Sequence, residues 1–174
     1  AGINEGLRHL ACDAWMCQMD ADILLPPHTR ESLDLANLDP SMVYGIDRLE
    51  FKNYADFQRF YSSPSPQLTE GMFIHTKHTG ALAEIGARIR FDHTNGWLPI
   101  GYFQLWNAAS GITRYPEGHT DAGHEDTIFP AQWPRSKRAL IPEILAYHLE
   151  SENAVMGTNW QKRTTQPFRH RDGK

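Results

Sequence analysis

The run Trp15-Met16-Cys17-Gln18-Met19-Asp20-Ala21-Asp22-Ile23-Leu24-Leu25-Pro26-Pro27 carries an apolar strand into two carboxylates one residue apart. Mostly large or apolar side chains on both faces of Trp15 to Met19 predict a central strand covered by helices. Asp20 and Asp22 then fall where the chain leaves the sheet, at the carboxyl edge where open α/β sheets place ligands. Such a pair supplies oxygen ligands and negative charge for Mg²⁺ or Mn²⁺ and leaves coordination positions for water and substrate phosphates. Spacing alone also allows a polar turn, where Asp is favoured.

Upstream, Ile3, Leu7, Leu10 and Ala11 recur at helical spacing between polar residues, predicting an amphipathic helix. Downstream, Pro26-Pro27 stops the strand, and Thr29 caps a helix through Leu35. Met42 to Phe51 reads as a second strand, and Tyr54, Phe57, Phe60 and Tyr61 as a helical aromatic stripe that faces the core. Ser62 to Gln67 is a loop by its prolines. A strand near Met72 to His75 and a helix or turn over Ala81 to Ile85 follow. Gly101 to Trp106 is strand-like again. His124-Glu125-Asp126 opens a short helix that Pro130 and Pro134 limit. Lys137 to Ile141 and Ile144 to Leu149 read as two strands, with His148 near the end of the second, and 167–174 as a polar tail. Strands alternating with helices argue an α/β or α+β chain with a partly parallel sheet.

With 174 residues, 40% of them hydrophobic and 22% charged, the chain suits one soluble domain. A net charge of -4 argues against an extended nucleic-acid groove. Cys12 and Cys17 are spaced as neither a zinc knuckle nor a disulfide framework, and strand alternation points Cys17 into a core, which favours a reducing compartment. Neither a run of eighteen apolar residues nor a signal-peptide pattern is visible, so the expectation is a soluble cytoplasmic protein.

Asn4-Glu5-Gly6-Leu7 on a helix, followed by the strand that ends in Asp20-Ala21-Asp22, resembles the middle of nucleotide-sugar-dependent glycosyltransferases of the GT-A fold, most of all the broad family 2 type with its D-x-D motif. Gly123-His124-Glu125-Asp126 is similar to the family's acidic motif at the start of a helix under the acceptor site, and His148 to its late metal-binding histidine. The resemblance covers residues 4 to 148 in order. It implies an α/β, GT-A-like three-layer sandwich with a mixed, mainly parallel central sheet, here a partial domain over 1–166. In the family, strands and helices that bind the base and ribose precede the D-x-D strand, so two βα units of roughly thirty residues each are expected to be missing. Gly101-Tyr102-Phe103 also departs from the paired glycines common before the acidic motif.

What the resemblance implies chemically is metal-dependent transfer of a sugar from a nucleotide-diphosphate donor to a carbohydrate or other hydroxyl-bearing acceptor. Asp22 is the leading ligand to Mn²⁺ or Mg²⁺. Asp20 reaches the ion through water or holds the donor's ribose, and His148 completes the site as a neutral imidazole. Asp126 is the candidate base of an inverting reaction, with Glu125 in reserve, both ionised near a helix start. Trp160 and Arg163 are donor-side candidates, the first by stacking and the second by meeting a phosphate, while Trp106 and Gly101 stand on the acceptor or sugar side. The weighed alternatives are a non-catalytic truncated domain and a haloacid-dehalogenase-like phosphohydrolase. The latter is disfavoured because Ile23 and Leu24 stand where Thr or Val is expected.

Overall fold

A computed structural model of the chain describes residues 2–10, 14–51, 54–63, 91–92, 96–117 and 122–149. The expected strand at 72–75, the helix or turn at 81–85, most of the 62–67 loop, Cys12, Trp160, Arg163 and the tail lie outside the described residues. The elements are α1 (Gly2–Arg8), β1 (Trp15–Met19), β2 (Ile23–Leu24), α2 (Thr29–Leu35), β3 (Val43–Phe51), α3 (Tyr54–Tyr61), β4 (Phe91–Asp92), β5 (Gly96–Trp97), β6 (Phe103–Asn107), α4 (Ala122–Ala131) and β7 (Arg138–Leu149). β4 and β5 pair with each other, and the other strands form one five-stranded sheet in the order β1-β6-β3-β7-β2.

The fold is α/β, but the expectation of a mainly parallel sheet is overturned. β1 with β6, β6 with β3, and β2 with β7 all run antiparallel, and β3 with β7 forms the one parallel pair of this sheet. Reading each helix as a crossover between parallel neighbours fails because β6 inserts between β1 and β3 and runs against both. β1 is likewise no central strand: among the described residues it pairs with β6 alone and forms an edge.

The two strands read at 137–141 and 144–149 are one, β7, with a register shift. Gly45 pairs with Leu140 and Asp47 with Leu145, so extra β7 residues bulge out where Pro142 has no N–H to give to the ladder. Helix α2 ends at Leu35 as expected, but Thr29 is its first residue and not its cap. The capping position falls to His28, which makes no side-chain capping bond, and the buried Thr29 hydroxyl donates to the Pro26 carbonyl at 2.7 Å. Helix α1 stops at Arg8, short of Leu10, which is half exposed.

Side-chain alternation along β6 gives the sheet two packed faces. Trp106 packs with Met16, Val43, Leu7 of α1, Tyr115, and Phe129 of α4. Phe103 and Leu105 join Tyr44, Ile46, Ile141 and Ile144, with Leu33 and Ala36 of the α2 segment against them. A third cluster sets Phe57 and Phe60 of α3 on Phe51, with ring centroids 5.6 and 5.3 Å away. The aromatic stripe therefore splits, its phenylalanines buried and Tyr54 and Tyr61 exposed at the rim. Cys17 also corrects its expectation: Met16 takes the inward position against α1, and Cys17 alternates to the exposed side.

The loop before β3 is tied to the start of β7 by Asp39. Its carboxylate accepts from the Ser41 N–H at 2.8 Å and the Ser41 hydroxyl at 2.6 Å, and Lys137 Nζ stands 3.2 Å away. Those hydrogen bonds, then the lysine, lower its pKa to about 2 from 3.8. A folded pKa below the unfolded one contributes stability that is present above about pH 4 and lost as pH falls through 2. Asp39→Asn should therefore be less stable than the parent at neutral pH, with the difference in melting temperature closing between pH 4 and 2. A difference that does not change with pH would sink this reading.

Candidate functional site

Asp22 and His148 come together because β2 pairs with the end of β7. Ile23 stands opposite His148, and the Leu149 N–H donates to the Asp22 carbonyl at 3.0 Å. This register brings His148 Nε2 to 3.5 Å from Asp22 Oδ2. The imidazole is almost covered, while the Asp22 side chain is 54% exposed, so the pair opens to solvent on the carboxylate side. Burial, then the positive charge of Arg48, lowers the His148 pKa to about 4 against the opposing pull of Asp22. At neutral pH the contact is thus one between a carboxylate and a neutral imidazole, which is the form that binds metals.

Asp20 is held from the other side of the turn. Its N–H donates to the Tyr102 carbonyl at 3.2 Å, and its own carbonyl accepts from Ile23 N–H. Although part of its surface is exposed, the protein around its carboxyl raises the pKa, and the charge of Asp22 raises it further. The two carboxylates repel each other, and a cation between them would relieve that repulsion.

Tyr102 links this turn to α4. Next to it, Gly101 faces the Asp126 side chain so closely that a Cβ there would lie 1.9 Å from Oδ1. Only glycine leaves that carboxylate its place. The Asp126 carbonyl has lost its usual helical donor because Pro130, four residues on, has no N–H. Gln104 Nε2 replaces it at 3.0 Å and also donates to the Pro99 carbonyl at 2.9 Å. The Tyr115 hydroxyl donates to Gln104 Oε1, and Asn4 on α1 clamps the Tyr115 backbone, donating to its carbonyl at 3.0 Å and accepting from its N–H at 2.8 Å. Asn4, Tyr115 and Gln104 are buried and the link to Asp126 is partly so, and through them α1, β6 and α4 are held together around Asp126.

Comparison of the chain with family models, curated proteins and solved structures gives no match. The site therefore rests on its own geometry.

Asp20, Asp22, His148 and Asp126 are connected through one turn and the Gly101-Tyr102 step, although they come from widely separated parts of the chain. Glu125 lies in α4, with its side chain outside the described residues. Trp106 is not a sugar platform. It is fully buried, its N–H donates to the Ile112 carbonyl at 3.1 Å, and Phe129 and Tyr115 pack against it edge-wise with ring centroids 4.8 and 6.2 Å away. Gly101 is buried too, and its part is to make room for Asp126.

Among the described residues, no three His, Cys, Asp or Glu side chains are grouped to hold a metal ion. Asp22 and His148 nonetheless fit as two ligands of such a set, with Asp20 beside them, by donor type, neutral imidazole and carboxylate repulsion. Sequence reasoning missed Tyr102, Gln104 and Arg48. Tyr102 and Gln104 look like ordinary strand residues, and the one usable signal was a basic residue, Arg48, inside the otherwise largely apolar β3.

Proposed function

We propose that the chain is a metal-dependent glycosyltransferase domain of GT-A type, taking a sugar from a nucleotide-diphosphate donor to a hydroxyl acceptor. The observation that carries this reading is the 3.5 Å approach of Asp22 and His148, next to a turn that Tyr102 and Gly101 join to Asp126. Helices on both faces of a mixed sheet agree with it.

Asp22 and His148 would hold Mn²⁺ or Mg²⁺, with Asp20 contributing directly or through water. A divalent ion held there supplies Lewis-acid stabilisation of the departing diphosphate. Asp126, beside Gly101, takes the proton of the acceptor hydroxyl as its oxygen bonds to the anomeric carbon. The bond from that carbon to the phosphate oxygen breaks, and the nucleoside diphosphate leaves with the electron pair. Attack opposite the leaving group inverts the centre.

The test is calorimetric titration of the chain with a panel of nucleoside diphosphates, with Mn²⁺ and with EDTA. Binding that needs Mn²⁺ and falls about 100-fold in Asp22→Ala supports the reading, since even supports behind metal ligands are worth about 10–100-fold. Without metal, Asp22→Ala should cost little stability, because its partner His148 is neutral at pH 7 and its other neighbour, Asp20, repels it. A marked loss of stability without metal would make the pair merely structural. Metal-dependent phosphate release from monoesters would indicate a phosphohydrolase, and a folded chain that binds nothing an inert domain.

A further inference from the structure

Gln18 is the one polar side chain of β1, and it is partly buried. Residues two apart on an extended chain share a face, which brings its amide to the first of the two carboxylates. Gln18 Nε2 donates to Asp20 Oδ1 at 3.4 Å. Among the described residues this is the one hydrogen bond to the Asp20 carboxylate, and Oδ2 receives none. Across the ladder Gln18 stands opposite Gln104, the residue that serves the Asp126 carbonyl. The other end of the amide is not matched in this way: Gln18 Oε1 is enclosed and accepts no hydrogen bond.

An enclosed carbonyl oxygen without a donor is unfavourable, and folded proteins keep few of them. Packing gives no reason for one here, since Met would fill much the same space with no polar atom to satisfy. Reversing the amide would not help, because it would set Oε1 against a carboxylate oxygen, acceptor against acceptor. The orientation of Gln18 is therefore dictated by Asp20, and the amide's one side-chain interaction is a hold on one of the two carboxylate oxygens. At 3.4 Å that contact is long, so it supplies direction more than strength. Direction is what a metal ligand needs. Carboxylates that bind ions are themselves hydrogen-bonded by neighbours that orient them.

Building on the metal site of the glycosyltransferase reading, we propose that Gln18 is a positioning residue for the divalent ion. It engages Asp20 Oδ1, so that Oδ2 is the oxygen offered to the ion, directly or through a bound water. The ion then meets Asp20 in one arrangement beside Asp22 and His148, and not as a freely turning carboxylate.

The test is calorimetric titration with Mn²⁺ alone of wild type, Gln18→Met, Asp20→Ala and the double variant, each accompanied by a thermal melt in EDTA. Gln18→Met keeps an unbranched stem and removes both ends of the amide. It is expected to weaken Mn²⁺ binding about 10-fold, the lower end for groups that orient metal ligands. The double variant should bind within about 2-fold of Asp20→Ala, because two residues that act through one contact do not add. In EDTA, Gln18→Met should melt no lower than wild type, since it removes an oxygen that had no donor. A lower melting temperature with undiminished Mn²⁺ affinity marks a merely structural amide and overturns the assignment. So does a loss of affinity that is repeated in full on top of Asp20→Ala. In either case the metal site itself stands. If wild type binds no Mn²⁺, the metal-dependent reading and the Gln18 assignment both fall. Should Gln18→Met fail to fold, Gln18→Asn, with its amide one methylene further from Asp20, decides: undiminished affinity overturns the assignment, and a loss that vanishes in the Asp20→Ala background supports it.

Discussion

Replacing Asp126 with Asn is expected to lower release of nucleoside diphosphate from its sugar donor by about 10²- to 10⁴-fold, the usual worth of a positioned general base. Asn has nearly the shape of Asp, so it should keep the tight contact with Gly101 and the helical position fixed by Gln104. Mn²⁺-dependent nucleoside diphosphate binding should then stay within about 2-fold of wild type, since uniform binding and turnover are separable. Steady-state kinetics on a donor panel, beside calorimetry, measures both quantities. Equal turnover in the variant would remove Asp126 from the reaction, and a matching loss of binding would move it to the donor side.

The second large effect is on folding. Trp106→Ala should destabilise the chain by about 3–5 kcal/mol, the range for large aromatics removed from a core. Trp106 is fully enclosed, lies 4.8 Å from Phe129 and 6.2 Å from Tyr115 between ring centroids, and forms one side of the cluster that carries α4. Its loss also strands the Ile112 carbonyl that its N–H serves. Denaturant unfolding reads the change. A shift under 1 kcal/mol, with weakened sugar binding, would restore the platform role that burial denies it.

The local elements were legible wherever one pattern decided them. Thr29–Leu35, Val43–Phe51 and Trp15–Met19 follow from apolar patterning and proline stops, although the cap expected at Thr29 is not formed. Buried polar residues were not legible. Asn4 reads as a surface position on an amphipathic helix, yet it is buried, because Tyr115 offers it both a donor and an acceptor. Gln104 likewise enters the core because Pro130 leaves the Asp126 carbonyl without a helical partner. In both cases the partner lies far along the chain or on another element, and nothing local signals it.

The order of residue types alone settled that an apolar strand ends in Asp20-Ala21-Asp22, that a histidine sits near the end of a late strand, and that a short helix carries Asp126, although the helix starts earlier, at Ala122, and takes in Pro130. Short-range rules suffice there, because capping, alternation and turn preference act within a few residues. Only the tertiary structure decided that β6 slides between β1 and β3, that Asp22 meets His148, and that Arg48 lies on Tyr102. Those outcomes depend on strand direction and register between distant segments. Cross-strand packing and hydrogen bonding fix register, and a shift of one residue would turn His148 away from Asp22.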